Sequence, residues 1–368
     1  MRLKKFSLGV FAAGLLFLLH TTADAAEVRP EWAKTVQAAK KEGEVTVYTD
    51  ASFEPLLQEF RKHFPEIRVT SVTPERCGGQ RIMAERRAEK YLADLYVCGA
   101  GTAYDILLKA KALEPLKPLL LLPEVADESK WWRGKHQYID REGGTILAFN
   151  GLAQAYFHYN TKLVKPEEFR SYWDFLQPKW RGKIVISDPT MGGGVTGALR
   201  FLYWTPELGP EFLRRFLAEM EATATRDLRQ LIDWLAAGKF AIAALTPADR
   251  ADIPEAKQQG LPVNWFDSKR FKEGAPISSS SGNVAFLNKA PHPNAAAVVL
   301  NWLLSREGQL AYQRIVGGDS LRIDIPKDEV PSHVRRVEGA KYEVMDNPEW
   351  RDMSPVLKIV QEAWKKKG

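Results

Sequence analysis

Short apolar runs and amphipathic stretches follow each other along this 368-residue chain. In its first third, an apolar run predicts a strand, a loop follows, and apolar residues at helical spacing predict a helix. This order occurs three times, and such repeats predict parallel strands joined by right-handed crossovers. The predicted strands cover residues 44–48, 67–72 and 94–97, and the predicted helices cover 53–63, 80–89 and 104–112.

A second α/β unit follows a stretch from 116 to 144 that is rich in Trp and Pro. Its predicted strands lie at 183–187 and 240–245, with a helix near 167–176 and further helices from Ala198, Pro210 and Asp227. Extended segments at 146–149 and 155–159 precede this unit, and another at 284–287 follows it. Amphipathic helices at 293–304 and 307–315 lead into a polar tail that ends in a helix. The pattern predicts the α/β class with two such units.

The N-terminus has the pattern of a secretory signal. Arg2, Lys4 and Lys5 precede an apolar run from 6 to 19, and Ala23-Asp24-Ala25 supplies a small-residue cleavage site. An uncleaved anchor is the alternative, but the run is shorter than the ~20 residues that span a bilayer. We expect cleavage after about Ala25 and a periplasmic protein.

The charge balance argues against a nucleic-acid partner. Lys and Arg number 52 against 46 Asp and Glu, a net charge of +6, and both signs are interspersed. Proteins that bind nucleic acid concentrate basic residues in a patch or stripe.

Cys77 and Cys98 are the only cysteines, and each lies just beyond a predicted strand. Adjacent strand ends would bring them together, and an exported protein meets oxidising conditions, so we expect a Cys77–Cys98 disulfide. Two free buried thiols are the alternative. Neither cysteine has a partner at the spacing of a zinc site, so we expect no metal and no cofactor.

The motifs of common enzyme classes are missing from the sequence. Residues 192–197 match G-x-G-x-x-G, but they lie too far from their strand, and a turn with free N–H groups at a helix start is the better interpretation. Walker-type, H-E-x-x-H and G-x-S-x-G motifs do not occur. We therefore expect no enzyme.

Loops rich in glycine and hydroxyl residues follow the predicted strands, and in open α/β sheets ligands bind at this edge. Helix N-termini there present N–H groups that suit an anion. Arg76 and Arg81, beside Gly78-Gly79, would strengthen such a site. The alternative for both arginines is surface pairing with neighbouring glutamates.

Several segments resemble periplasmic solute-binding proteins of ABC importers, extracellular solute-binding family 1, in the branch that includes ferric-ion-binding proteins. The resemblance rests on residues 42–48, 178–184, 288–296 and 301–309. It implies the two-lobed periplasmic binding protein type II fold, in which each lobe is a mainly parallel sheet flanked by helices and crossing strands join the lobes. It also implies a signal peptide at 1–25, lobe 1 at 26–148 and 284–368, lobe 2 at 149–283, and a tail whose place between the lobes stays open.

Ferric members of the branch bind iron through adjacent tyrosines of lobe 2, aided by a His or acid of lobe 1. This sequence has no Tyr-Tyr pair, and the corresponding stretch after Leu245 reads Thr-Pro-Ala-Asp. The resemblance thus implies the substrate-binding component of an ABC import system, a monomer that captures a small anionic solute (a carboxylate, phosphonate or chelated metal anion) and delivers it to a permease and ATPase complex. Ferric iron is the alternative, with Tyr156, Tyr159 and Tyr203 as substitute ligands, and a secreted enzyme on the same scaffold is a third class.

The predicted ligand contacts divide between the lobes. Backbone N–H groups at Gly and Thr positions would hold the anion, and Arg76 would neutralise it. The contacts are Asp50, Ser52, Arg76, Gly79 and Thr102 in lobe 1, and Thr190, Gly193, Thr196, Thr246 and Asp249 in lobe 2.

Overall fold

A computed structural model describes residues 30–141, 143–192, 194–246 and 252–364 of the chain. The predicted signal peptide, Gly193 and Asp249 lie outside these ranges. None of the helices within them is both long enough and apolar enough to cross a membrane.

The strands in the described ranges are short, and most are buried. They are β1 Glu44–Thr49, β2 Arg68–Val72, β3 Leu95–Cys98, β4 Leu113–Glu114, β5 Gln137–Tyr138, β6 Ile146–Ala148, β7 Leu152–Ala153, β8 Phe157–Asn160, β9 Ile184–Ser187, β10 Thr223–Thr225, β11 Ile242–Ala244, β12 Val263–Trp265, β13 Ala275–Ser278, β14 Asn283–Leu287 and β15 Tyr342–Val344.

The α-helices pack against these strands and against one another. They are α1 Pro30–Glu42, α2 Glu54–His63, α3 Gly79–Arg87, α4 Ala100–Thr102 with a π-helical continuation Ala103–Leu108, α5 Pro123–Ala126, α6 Gly194–Trp204, α7 Gly209–Glu219, α8 Leu228–Ala236, α9 Asp252–Gln258, α10 Pro293–Leu304, α11 Arg306–Val316 and α12 Ser354–Trp364.

The first sheet has the strand order β2-β1-β3-β14-β6-β5, and β4 also pairs with β14. Its β2, β1 and β3 are parallel, as the three strand–loop–helix repeats predicted. The remaining pairings are antiparallel: β14 with β3, β4 and β6, and β5 with β6. The carboxyl ends of β1 and β3 therefore share one edge with the start of β14.

The second sheet has the order β10-β9-β11-β8-β12. Here β10, β9 and β11 are parallel, and β8 runs antiparallel between β11 and β12. The helix predicted near 167–176 is replaced by two short 3-10 helices, Pro166–Glu168 and Tyr172–Leu176. The backbone between them is extended, because the Asp174 carboxylate accepts from the amides of Arg170 and Ser171.

A third, narrow sheet joins the first two. In it β13 pairs antiparallel with β7 over only two residue pairs, Ile277 with Ala153 and Ser278 with Leu152. On its other side β13 pairs in parallel with β15 of the tail. The chain thus passes between the two large sheets through two short strands.

Each large sheet has its own buried hydrophobic cluster. One cluster gathers residues between Ala39 and Phe149 together with residues between Val284 and Leu321. The other spans Tyr156 to Phe271 and also takes up tail residues from Met345 to Ala363. We refer to the parts built around these clusters as the first and second lobe, and from Met345 onward the tail packs with the second. The exact lobe boundaries expected from the sequence stay a prediction.

Candidate functional site

The loop after β1 is shaped by Asp50. Its carboxylate Oδ1 accepts from the backbone N–H of Ser52 at 2.9 Å and so caps the short 3-10 helix Ala51–Phe53. Asp50 is half-buried at the sheet edge, whereas Ser52 is exposed. In this loop Ser52 contributes its backbone N–H to the cap, and no role of its hydroxyl is seen in the described contacts.

The expected disulfide is present between Cys77 and Cys98, whose Cα atoms are 6.3 Å apart. It joins the loop after β2 to the end of β3, and both cysteines are buried. A carboxylate oxygen of Asp50 and the two sulfurs lie within 4.8 Å of one another. The disulfide therefore holds the loop after β2 against the end of β3, and the Asp50 carboxylate lies beside it.

Gly79 and Thr102 are in direct contact across the same edge. A Cβ added at Gly79 would lie 2.2 Å from Thr102 Cγ2, so only a glycine allows the loops to approach this closely. Arg76 belongs to the adjoining 3-10 helix Glu75–Gly78, and its side chain lies outside what the structure describes. Asp50, Gly79 and Thr102 thus lie at one edge of the sheet, and their contact with a solute stays a prediction.

Arg81 takes the alternative role considered for it. Its Nε donates to the carboxylate of Glu85 at 2.9 Å, an ion pair one helical turn away. Glu85 also accepts from the hydroxyl of Tyr48 at 2.8 Å. Burial, with the hydrogen bond to Glu85 as the second cause, raises the pKa of Tyr48 to about 12. Tyr48 is thereby kept as a neutral phenol and is a poor candidate for an iron-binding tyrosinate.

In the second lobe, Thr190 lies in an exposed turn after β9. Its backbone N–H and its hydroxyl both donate to Asp188 Oδ1, at 2.8 and 2.7 Å. Arg226 donates to the other carboxylate oxygen of Asp188 at 3.4 Å. The polar groups of Thr190 thus hold the turn together.

Thr246 differs from the other predicted contacts because it is buried inside the second lobe. Its Oγ1 lies 2.9 Å from His158 Nδ1, and both residues line a small cavity of about 30 Å³ that Trp265 and His333 also border. Burial, with the nearby His333 as the lesser cause, lowers the pKa of His158 to about 3. The Thr246 hydroxyl is therefore engaged within the lobe.

Thr196 and Arg200 lie one helical turn apart on the less buried face of α6. The opposite face, with Val195, Leu199 and Leu202, is fully buried. The hydroxyl of Tyr156 lies close to the same face, since a Cβ added at Gly197 would be 2.9 Å from it. Sequence reasoning missed Arg200, although its signal was available: it is the only charged residue of this otherwise apolar helix.

A loop of the tail also reaches this region. The carboxylate of Asp346 accepts from the backbone N–H of Ser279 at 2.7 Å. Arg351 donates to the carbonyl of Gly101 at 3.4 Å and to the carboxylate of Asp105, both in the first lobe. Its neighbour Trp350 packs in the second cluster. The tail loop therefore connects the two lobes beside α4 and α6, a role that the polar tail sequence did not indicate.

A cavity of about 880 Å³, the hinge cavity, lies between β5, the crossing strands and the tail loop. Its volume is in the range of small-molecule sites. None of the predicted contacts that the structure describes lines it. Its walls include Trp132, Arg133, Tyr138, Tyr342, Asp346 and Trp350.

Among the described residues, the only acid, cysteine and histidine groups close enough to share a metal ion are Asp50, Cys77 and Cys98. Both sulfurs are bonded to each other, which leaves one carboxylate. Ferric iron prefers several anionic oxygen ligands. This cluster therefore does not form a ferric site.

Comparisons with known proteins agree with this architecture. Solved structures with the same fold include the Bordetella ferric binding protein, with 19% identity, a TM-score of 0.64, and coverage of 87% of this chain and 99% of that one. The Trichodesmium protein FutA (IdiA), in complex with iron and citrate, has 17% identity, a TM-score of 0.62, and coverage of 87% and 99%. Ferric iron-binding protein A of Mannheimia haemolytica, in an open conformation, has 14% identity, a TM-score of 0.64, and coverage of 88% and 98%. At these identities the likeness shows the fold alone, which is that of two-lobed periplasmic binding proteins.

The family model that describes bacterial extracellular solute-binding proteins matches residues 45–310, which is most of the chain. The match covers both large sheets and the crossing strands between them. The protein therefore belongs to the bacterial extracellular solute-binding protein family.

Proposed function

We propose that this protein is the periplasmic receptor of an ABC import system, which captures a small anionic solute between its lobes and delivers it to a membrane permease and its ATPase. Capture requires the solute to stabilise the closed arrangement more than the open one, without covalent chemistry. The 1–25 segment, with the pattern of a secretory signal, would direct the chain to the periplasm.

The observation that carries this proposal is the narrow connection between two separately packed lobes. In the described ranges, only the short strands β7 and β13 cross between the large sheets, apart from the tail, and they share two residue pairs. Hinge closure absorbs its backbone changes in a few residues of this kind, while each lobe moves as a unit. The loops at the edge of the first sheet and the α6 face of the second then form the walls that close on the solute.

An organic or chelated anion fits the described residues better than naked ferric iron. The solved structures of ferric proteins show the same fold, and one of them contains iron together with citrate. In this chain, however, the hydroxyl of Tyr48 donates to the carboxylate of Glu85. The two cysteines that lie near Asp50 are bonded to each other in the disulfide and cannot act as thiolate ligands. A metal carried in as an anionic chelate needs fewer protein ligands, and the hinge cavity offers room for the organic part.

The proposal is tested by mass spectrometry of the small molecules that co-purify with protein taken from the periplasm. A bound organic anion, released only on unfolding, is the expected result. Addition of Fe(III) to the ligand-free protein serves as the second arm, since a tyrosinate-to-iron absorption band would establish the ferric alternative. If small-angle scattering shows no compaction with the co-purified molecule, capture by closure is excluded.

A further inference from the structure

Arg200 is a charged side chain whose guanidinium has no hydrogen-bond or ion-pair partner among the described residues. It forms no hydrogen bond and no salt bridge with any residue in the part of the chain that the structure describes, and its Nε is buried. Most buried polar atoms in folded proteins have a hydrogen-bond partner, so an exception calls for an explanation. A ligand that is bound only part of the time is one such explanation.

The charged groups around Arg200 come from the first lobe and from the tail. Asp105, Asp346 and Arg351 are near enough for their charges to act on the guanidinium, and burial lowers its pKa. Both carboxylates already have other partners. Asp105 accepts from Arg351 and from Lys109, and Asp346 accepts from the amide of Ser279. Arg351 and Lys109 both pair with Asp105, and within the described residues neither Asp105 nor Asp346 forms an ion pair with Arg200.

The polar groups beside Arg200 suit an oxyanion. Thr196 lies on the same face of α6, one turn toward the helix N-terminus, where the helix dipole favours negative charge. Tyr156 brings its hydroxyl against Gly197 of the same helix. A guanidinium presents several N–H donors in a planar fork that matches a carboxylate or a phosphoryl group.

The location matches an interlobe ligand. Arg200 belongs to the second lobe, yet the charge of Asp105 in the first lobe acts on it. Asp346, which also acts on Arg200, lines the hinge cavity. Arg200 does not line the cavity itself, and Asp346 is the residue that the two regions share.

We infer that Arg200 binds the oxyanion group of the solute, a carboxylate or a phosphoryl group, and that Thr196 and Tyr156 orient it. This inference rests on the proposed function and assigns the charge recognition to α6 of the second lobe. The contacts predicted from the sequence are kept, and Arg200 becomes a second guanidinium, besides Arg76, that would neutralise the anion.

The test compares wild-type protein with Arg200→Met and Arg200→Lys by thermal unfolding and calorimetry. The probes are inorganic phosphate, citrate and Fe(III)–citrate, added separately to ligand-free protein. We expect at least one probe to raise the melting temperature of the wild type by mass action. Arg200→Met should weaken that binding about 10- to 100-fold, and the Lys variant should fall between the two.

Arg226→Met is the matched control, because Arg226 is exposed at the edge of the same lobe and paired with Asp188. It should bind the probes as the wild type does. Arg200→Met without ligand should melt no lower than the wild type, since no hydrogen bond is lost.

The binding results can contradict the role of Arg200 without contradicting the receptor function. Equal binding by wild type and Arg200→Met would overturn the inference and leave the receptor function intact. If no probe stabilises the wild type, Arg200 is not an oxyanion site and the inference fails, while co-purification still decides the receptor function. A preference among the probes distinguishes a phosphoryl from a carboxylate ligand.

Discussion

The guanidinium of Arg351 donates to the carboxylate of Asp105 and joins the tail of the chain to the first lobe. Arg351 follows Trp350, which packs in the second cluster, whereas Asp105 lies in the π-helical continuation of α4 in the first. The ion pair therefore connects the two parts that must move relative to each other when a hinged receptor opens. On the proposed hinge mechanism, the pair is a contact of the closed state.

Replacing Arg351 with Ala should shift the ligand-free protein toward the open state. The Asp105 side chain is 44% exposed, so the pair contributes only about 0.5–1 kcal/mol, which corresponds to a roughly two- to fivefold change in the open-to-closed ratio. Small-angle scattering would show a larger radius of gyration. Lys109→Ala is the control, because Lys109 also pairs with Asp105 but lies in the same lobe. Equal scattering curves for wild type and Arg351→Ala would show that the pair does not restrain the lobes.

Removal of the Cys77–Cys98 disulfide should destabilise the first lobe. The two cysteines are 21 residues apart, and closing a loop of this size in the unfolded chain is worth about 3 kcal/mol. Urea unfolding with and without a reductant would measure the loss. The Cys77→Ala, Cys98→Ala double variant should unfold at the reduced midpoint and be insensitive to reductant. An unchanged midpoint for the reduced wild type would contradict the expectation.

Gly79→Ala should destabilise the protein by about 1–3 kcal/mol, because the added Cβ would overlap Thr102 Cγ2. The direction is informative: Gly79 has ordinary helical dihedral angles, and at such positions alanine normally stabilises by up to about 1 kcal/mol. Thr102→Ser deletes the methyl group in conflict, so the double variant should recover most of the loss. Gly192→Ala, with no heavy atom within 4 Å of its Cβ, is the neutral control. Chemical denaturation of all four variants makes the comparison, and stabilisation by Gly79→Ala would disprove the close approach.

Much of the fold followed from the sequence because periodicity and local chemistry agreed. The strand predicted at 44–48 is observed at Glu44–Thr49, and the helix predicted at 293–304 has those bounds in the structure. The Cys77–Cys98 pairing followed from parallel strand ends at one edge. The prediction of one helix near 167–176 was wrong because Ser171 and Asp174 form a capping box that starts a separate 3-10 turn at Tyr172 and leaves the preceding residues extended, a local feature that periodicity does not register.

The candidate site was harder to predict, because it depends on which segments meet. Thr246 looked like a loop hydroxyl, but the antiparallel return of β8 places His158 against it. Arg200 and Arg351 are 151 positions apart in the chain, and only the path of the tail brings their charges together. Such contacts between distant segments have no signature in one sequence.

His158 should make the stability of the second lobe depend on pH. Its pKa is lowered to about 3 in the folded protein, mainly by burial, whereas an unfolded histidine titrates near 6.5. Between these values the unfolded chain binds the additional proton, so stability is complete above about pH 6.5 and falls as the pH decreases toward 3. The slope of the unfolding free energy that one such group contributes reaches about 1.4 kcal/mol per pH unit.

The His158→Gln variant should be less stable than the wild type at pH 7.5, since the contact with Thr246 is altered. Its stability should, however, decline less steeply between pH 6.5 and 4.5. Urea unfolding at several pH values tests this, with His63→Gln, a histidine with a more exposed side chain in the first lobe, as the control. Parallel stability curves for wild type and His158→Gln would show that His158 does not titrate between the folded and unfolded states in this range.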